Sequence, residues 1–422
     1  MEQFIIKGPT HLNGSVKISG SKNAALPIIA AGILFHEPIT LKNVPKIKDI
    51  EKMIELITGL GAVCDFKDNT LKIDPSKIKK KDPDPKIVRN IRASLLLLAP
   101  LLSRNKSVSL PHPGGCLIGA RPVDIHLSAF EKMGAKVNSG DENYTVSADI
   151  LNSAEVSADF SVGATENIIM AAVLTPGTTK IALAAAEPHT QDLCNFLISA
   201  GAKIGGIGTH NLEVEGVKEL SGVEYEIIPD QIEAGTFAIA AAVSKGEVVI
   251  DGFVKAHHES SLSKFDRAGI RYEIISGSKV KILPTHRFNS FKIRTEAFPG
   301  FPTDLQAPMA VLATQATGSS EIYETIFEGR LGYVSELSKM GASCVVRDAH
   351  QATITGPTEL TGTRITSFDL RAGATLIIAA IIAEGESRID QIEIIDRGYE
   401  NIEEKFKSLG ANIKRVSLKE IG

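Results

Sequence analysis

Apolar positions along this chain fall into two alternating patterns. In the first, an apolar stripe recurs at helical spacing and stops at a glycine. Ile50, Met53, Ile57 and Leu60 precede Gly61; Val334, Leu337 and Met340 precede Gly341; Ile402, Phe406 and Leu409 precede Gly410. This spacing predicts amphipathic helices ended by a left-handed glycine. Runs that alternate with period two follow, such as 62–66 and 411–416, and predict strands. The second pattern is apolar nearly all round and rich in alanine, as in 23–31, 93–98, 168–173, 237–242 and 375–380. A helix greasy on every face is buried on every face.

The glycine-ended pattern occurs six times, at Gly61, Gly134, Gly201, Gly269, Gly341 and Gly410, with spacings of 73, 67, 68, 72 and 69 residues. Six similar repeats therefore account for nearly all of the chain. Each carries one buried helix, one half-exposed helix and several strands. Three such repeats closing around their buried helices make one domain, and two domains follow. The expected class is α/β, with helices inside and sheets outside.

Composition narrows the function. The 422 residues carry 46 basic and 50 acidic side chains, a net charge of −4, so no global field draws the chain to nucleic acid or to a membrane. Aromatics make up 5% and tryptophan is absent, which argues against base stacking as a binding mode. The start lacks the pattern of a signal peptide. The longest apolar runs, 95–102 and 374–383, are far shorter than the roughly 20 residues a bilayer requires. Cys64, Cys116, Cys194 and Cys344 are far apart and show no zinc spacing, which suits free thiols in a reducing cytoplasm.

Polar residues recur in register with the repeats. Lys48, Arg121 and Arg397 lie thirteen residues before their glycines, Arg330 eleven before, and His189 and His257 twelve before. Lys22, Arg92 and Arg371 stand at the starts of three buried helices, and Asp304 at a fourth. A cation at a helix N-terminus opposes the dipole, so its repetition points to anion binding, where N–H groups and guanidinium groups converge on one ligand. The stretch 111–122 is dense in Pro and Gly and must be a loop. It holds Cys116 five residues from Arg121, where positive charge favours the thiolate, so Cys116 is read as catalytic. Cys64, Cys194 and Cys344 are read as small buried apolar residues. No phosphate-loop or dinucleotide fingerprint is present, and His257-His258-Glu259 reads as a loop pair without metal spacing. The turn 161–165 suits a diphosphate, and equally suits plain N-capping by Ser161 or Thr165.

Four segments together carry a resemblance: Ser21-Lys22-Asn23-Ala24, the glycine-rich run from Gly114 through Cys116 to Pro122, Phe301-Pro302-Thr303-Asp304, and Asp396-Arg397-Gly398-Tyr399-Glu400. The chain resembles the enolpyruvyl transferase family, in its branch that uses UDP-N-acetylglucosamine, from the N-terminus to about Lys414. The shikimate 3-phosphate branch shares the fold but lacks the cysteine loop. The resemblance implies two inside-out α/β barrels of three βαβαββ-like units each, joined by a double chain crossing. The first would span 22–229 and the second 230–422 with 1–21, with the active site between them. It further implies transfer of the enolpyruvyl group of phosphoenolpyruvate to the 3′-hydroxyl of UDP-N-acetylglucosamine, the first committed step of peptidoglycan synthesis, with no metal or organic cofactor.

Residue by residue, the resemblance implies phosphate binding by Lys22, Arg121 and Arg397. It gives Arg330, Arg371 and Arg397 to the carboxylate and the developing ketal, with Arg92 nearby. Asp304 would take the hydroxyl proton, Asp369 would assist, and Cys116 would act as general acid and form an adduct. Asn23 would contact the sugar; Arg121, Pro122, Val123, Asp124 and Ile125 would cradle the uridine; Ser161, Val162 and Gly163 would hold the diphosphate; and the Ile326 backbone would face the sugar. Loop 111–122 would close over the bound sugar nucleotide. Some members carry a lysine just before the Ser-Val-Gly turn. Asp159-Phe160 stands there here, leaving more of the diphosphate to backbone N–H groups. A non-catalytic sensor on this fold would be expected to lose Asp304 or Cys116, and both are present.

Overall fold

All six repeat glycines end their helices in the left-handed region, with φ between 79° at Gly269 and 115° at Gly61. The helices they close are amphipathic. Lys48–Leu60 buries Ile50, Met53, Leu56, Ile57 and Leu60 and exposes its other face. Between them run helices buried on all sides: Lys22–Ala31, Leu98–Asn105, Val162–Ala172, Gln231–Val243, Thr303–Gln315 and Leu370–Ile382. The second begins as a tighter 3₁₀ turn, Arg92–Leu97. Small residues let these helices approach. A methyl group on Gly235 would lie 2.5 Å from Leu305 Cδ1, so a larger residue there would push the Leu305 side chain aside.

The computed structural model describes residues 2–79, 82–112, 114, 119 and 122–417. Apart from the loop around Gly119, they divide into two lobes, one from Gly20 to Ile228 and one joining residues up to Ser19 with those from Pro229 onward. In the second lobe the helices Gln231–Val243, Thr303–Gln315 and Leu370–Ile382 touch one another pairwise. Among the described residues each lobe has three sheets. Each sheet holds the strand that follows a buried helix and, in most, the hairpin that follows an amphipathic one. Ile39–Lys42, for example, pairs with the hairpin Val63–Lys67/Thr70–Asp74. In five of the six sheets a further strand adds in parallel; the sheet Ser107–Pro111/Asn143–Ser147/Lys136–Ser139 has none among the described residues.

The parallel strands are exchanged where the chain passes between lobes. Asn13–Lys17 precedes helix Lys22–Ala31 in sequence but pairs with Glu247–Asp251, in the lobe of the later helices. Glu224–Glu226 precedes helix Gln231–Val243 but pairs with Ile39–Lys42 in the first lobe. The strand Glu2–Gly8 completes the sixth repeat, lying antiparallel between Gly385–Asp390 and Asn412–Ser417. No helix among the described residues is long and apolar enough to cross a membrane.

The cysteine reading needs one adjustment. Cys194 is buried, but Cys64 and Cys344 are only half-buried, because their strands are outer members of their sheets. Burial raises all three thiols, Cys344 to about 11 and Cys194 to about 12.

Two expectations follow. Gly410 and Gly59 both have open space where a side chain would start, but only Gly410 has positive φ, at 98°. Gly410→Ala should therefore lose about 1 kcal/mol to backbone strain, while Gly59→Ala, in a helix, should gain about 0.5–1 kcal/mol; thermal melts compare the two. The second expectation concerns His258, which is buried against the Phe253 ring at 3.8 Å. Burial, with His257 beside it, pushes its imidazole down to about 3. An unfolded histidine titrates near about 6.5, so below that pH the unfolded chain takes up a proton that the folded chain refuses. Stability should fall as the pH drops through this window, by about 3 kcal/mol from this group at pH 4. His258→Leu should flatten the slope in melts at neutral and acid pH.

Candidate functional site

In the lobe from Gly20 to Ile228, Ser21 caps the first buried helix, its side chain accepting from Ala24 N–H. The cap places Lys22 in the first turn, where its charge opposes the helix dipole. The charge is answered by Asp49, 2.6 Å away, and both side chains are about nine-tenths buried. Asp49 sits in the first turn of helix Lys48–Leu60, where an anion is favoured. It shares the register of His189 and His257, twelve residues before its repeat glycine, but only basic and imidazole side chains were singled out there. Asn23 follows Lys22 and is half-exposed.

A second cluster gathers at the start of helix Val162–Ala172. Ser161 is its N-cap, accepting from Ala164 N–H at 3.3 Å. Thr165 does not cap. It donates to Ser161 O at 2.8 Å and accepts from Ala185 N–H at 2.9 Å. The N–H groups of Val162 and Gly163 have no acceptor within the helix. Beside them lies His126, whose ring would be 3.3 Å from a methyl group on Gly163. Asn167 spends its oxygen on Ala99 N–H, so its amide nitrogen donates to His126 Nδ1 at 3.0 Å and leaves the neutral ring protonated on Nε2. Burial, reinforced by the charge of Arg92, lowers this imidazole to about 4. His126 is one position beyond the 122–125 segment: Pro122 and Asp124 are exposed, Val123 buried and Ile125 half-buried. A histidine in the first turn of the helix Asp124–Lys132 was the available signal for it. Cys116 and Arg121, both central to the sequence reading, lie outside the described residues, as does most of the 111–122 loop.

In the other lobe three predicted residues meet. Arg330 Nη2 and Arg371 Nε both donate to the Asp304 carboxylate, one to each oxygen. Arg371 Nη2 is also 2.9 Å from Oδ2. The guanidinium groups are almost wholly buried, and Asp304 is about one-fifth exposed. Burial alone would raise the Asp304 carboxyl, but Arg330 and Arg371 overcome it and hold the group well below the usual carboxylate range. Arg371 is also stacked over the Tyr399 ring, 5.1 Å from its centroid, and the Tyr399 hydroxyl meets Thr236 Oγ1 at 3.1 Å. One arm, Arg371 Nη1, is buried without a hydrogen-bond partner. An orphaned donor on a buried cation is a ready anion site.

Other predicted residues take supporting places. Asp369 caps helix Leu370–Ile382, its Oδ1 accepting from Arg371 N–H at 2.8 Å and Ala372 N–H at 2.9 Å. Ile326 gives its N–H to Glu324 Oε1 at 2.8 Å, which leaves its carbonyl and exposed side chain as the groups it can offer. Glu324 is fully buried. It also accepts from Thr303, which in turn accepts from Arg330 Nη1 at 2.8 Å. Arg397 ends a 3₁₀ turn, Ile392–Arg397, and is half-exposed.

Comparison with known proteins assigns the class. The profile of the EPSP synthase (3-phosphoshikimate 1-carboxyvinyltransferase) family matches residues 6–406. The enolpyruvyl transferase NikO from Streptomyces tendae superposes with a TM-score of 0.89 at 24% identity, covering 98% of this chain and 99% of that one. An EPSP synthase from Acinetobacter baumannii gives 0.76 at 16% identity, covering 99% and 100%. The fold is thus that of the enolpyruvyl transferases. Relatives resolve the branch. UDP-N-acetylglucosamine 1-carboxyvinyltransferases from Halothermothrix orenii and Campylobacter hominis are 43% and 45% identical to this chain, each covering 99% of it and 100% of the relative. The chain belongs to the UDP-N-acetylglucosamine 1-carboxyvinyltransferase family of enolpyruvyl transferases.

Because Asp369 satisfies two first-turn donors, Asp369→Ala should cost about 1 kcal/mol. Asp369→Asn, which keeps an accepting oxygen, should cost much less. Thermal denaturation separates the two variants.

Proposed function

We propose that this chain is an enzyme that transfers the enolpyruvyl group of phosphoenolpyruvate to the 3′-hydroxyl of UDP-N-acetylglucosamine, releasing phosphate, in the first committed step of peptidoglycan synthesis in the cytoplasm. The observation that carries the reading is Asp304 clasped by two buried arginines, one with an arm left unpartnered. The names of the relatives supply the acceptor and the group transferred.

The chemistry follows from these groups. Protonating the methylene carbon of phosphoenolpyruvate makes C2 electrophilic. The sugar oxygen adds and gives up its proton, forming a tetrahedral ketal. Loss of a methyl proton and of phosphate restores the double bond. Clasped by Arg330 and Arg371, Asp304 is a weak base. A substrate carboxylate that takes over one guanidinium contact weakens the clasp and raises the carboxyl toward the range where it can accept the hydroxyl proton. Arg371 Nη1, unpartnered in the resting protein, would donate to that carboxylate as it takes over from Asp304, and Arg330 and Arg397 then stabilise the charge that develops.

Lys22, Arg121 and Arg397 bind the phosphate, with Lys22 exchanging its hold on Asp49 for the substrate. Asp369 assists mainly by fixing the start of the helix that bears Arg371. Cys116 acts as general acid and can add to phosphoenolpyruvate. Arg92, His126 and the N–H groups of Val162 and Gly163, beside Ser161, take the diphosphate; Asn23 and Ile326 take the sugar; Arg121 and residues 122–125 take the uridine. Residues 22–229 form the sugar-nucleotide domain with the cysteine loop. Residues 1–21 and 230–422 form the domain of Asp304, Arg330, Arg371 and Arg397.

Phosphate release from phosphoenolpyruvate should require UDP-N-acetylglucosamine and fail with shikimate 3-phosphate; release with shikimate 3-phosphate alone would overturn the assignment. Cys116→Ser should reduce turnover by about 10²-fold or more, while Cys64→Ser stays near the parent rate. A coupled phosphate assay reads both, and equal rates for the two variants would remove the thiol's role.

A further inference from the structure

Arg415 lies beyond the 6–406 span matched by the family profile, yet it is the centre of the densest ion cluster described in its lobe. It stands on strand Asn412–Ser417, paired in register with Phe4, whose ring lies 5.0 Å below its guanidinium. Nε donates to Glu403 Oε1 at 2.6 Å and Nη1 to Glu2 Oε2 at 2.9 Å. The remaining bonds form a fork on Asp396: Nη2 to Oδ1 at 2.6 Å and Nη1 to Oδ2 at 3.1 Å. One guanidinium thus serves three carboxylates, and the side chain is only about one-quarter exposed.

Asp396 immediately precedes Arg397 in the short turn Ile392–Arg397. The turn is also tied at Glu393, whose Oε1 accepts at 2.9 Å from the N–H of Glu2, the same residue whose carboxylate meets Arg415. It is entered through Gln391 at φ 58° with no side-chain cap, and its apolar anchors, Ile392 and Ile395, point into the core. The fork on Asp396 is a two-point restraint on the peptide that carries Arg397. Its other end is a strand held in a four-stranded sheet. If Arg415 is lost, three carboxylates face one another without their common cation, and the turn must move to separate them.

We propose that Arg415 is a positioning residue for Arg397, acting through Asp396 without touching substrate. The aspartate of the Asp396-Arg397-Gly398-Tyr399 motif is accordingly a handle rather than a reacting group. This rests on the reading that Arg397 binds phosphoenolpyruvate.

The test is steady-state kinetics of the full chain by phosphate release, with each substrate varied in turn. R415M should raise the KM for phosphoenolpyruvate by about tenfold or more, as expected when a binding group is misplaced by about an ångström, and leave the KM for UDP-N-acetylglucosamine within about twofold. D396N should change the same constant in the same direction. R415K keeps the charge but loses the fork, and should fall between R415M and the parent. With R397K as background, adding R415M should cost little more, because the group being positioned is already impaired. If R415M does not fold, D396N and R415K carry the test. A parent chain active with UDP-N-acetylglucosamine whose D396N and R415K variants keep the parent KM for phosphoenolpyruvate would overturn the positioning role alone, as would a fully additive R397K/R415M pair. A parent chain inactive with UDP-N-acetylglucosamine would overturn the functional reading and the positioning role with it.

Discussion

A helix buried along most of its length leaves its first turn little access to water, so its leading N–H groups look to partners in the protein or in a ligand. This constraint shapes the rest of the molecule. Ser21, Ser161, Asp230 and Asp369 each cap the buried helix that follows. Each cap fixes where the next side chains emerge: Lys22 after Ser21, Val162 and Gly163 after Ser161, Arg371 shortly after Asp369. The same rule that makes a buried helix tolerable lines its tip with donors and cations. Anion chemistry grows out of the architecture rather than being added to it.

The cations so placed are costly to bury alone, and the protein answers them with carboxylates: Asp49 for Lys22, and Asp304 for Arg330 and Arg371. These pairs differ from surface ion pairs such as Lys52–Glu55, which are solvated and contribute little. A buried pair keeps its charges fixed, desolvated and close together. An incoming anion of better geometry can compete for the cation, and the released carboxylate then becomes a base. On the proposed mechanism, electrostatic energy held between protein groups in the resting state would be redirected to substrate when it binds.

Much of this was legible in the chain. The six glycines, their spacing and the alanine-rich helices predicted helices inside and sheets outside, and the fold has that arrangement. Asp304, Arg330 and Arg371 were each singled out, and they meet, because repeat register places equivalent helix starts at equivalent points of one lobe. The groups packed around the other predicted residues were not legible. Asp49, Glu324 and His126 come from neighbouring elements and depend on how helices lie side by side, which no single-chain periodicity encodes. The half-burial of Cys64 and Cys344 reflects which strand of a hairpin lies outermost, a sheet-order property invisible along the sequence. Thr165 had the composition of a cap but serves as a tie to Ala185.

The exchanged strands impose an order on how the polypeptide is made. The lobe from Gly20 to Ile228 is continuous, and its last strand, Glu224–Glu226, becomes available as soon as that stretch leaves the ribosome. The other lobe must hold Glu2–Gly8 and Asn13–Lys17 in waiting until partners translated hundreds of residues later arrive; Glu2 and Arg415 are 413 positions apart. During that interval two β-strands with open edges trail from a finished lobe. They are the segments that nascent-chain chaperones would have most reason to cover.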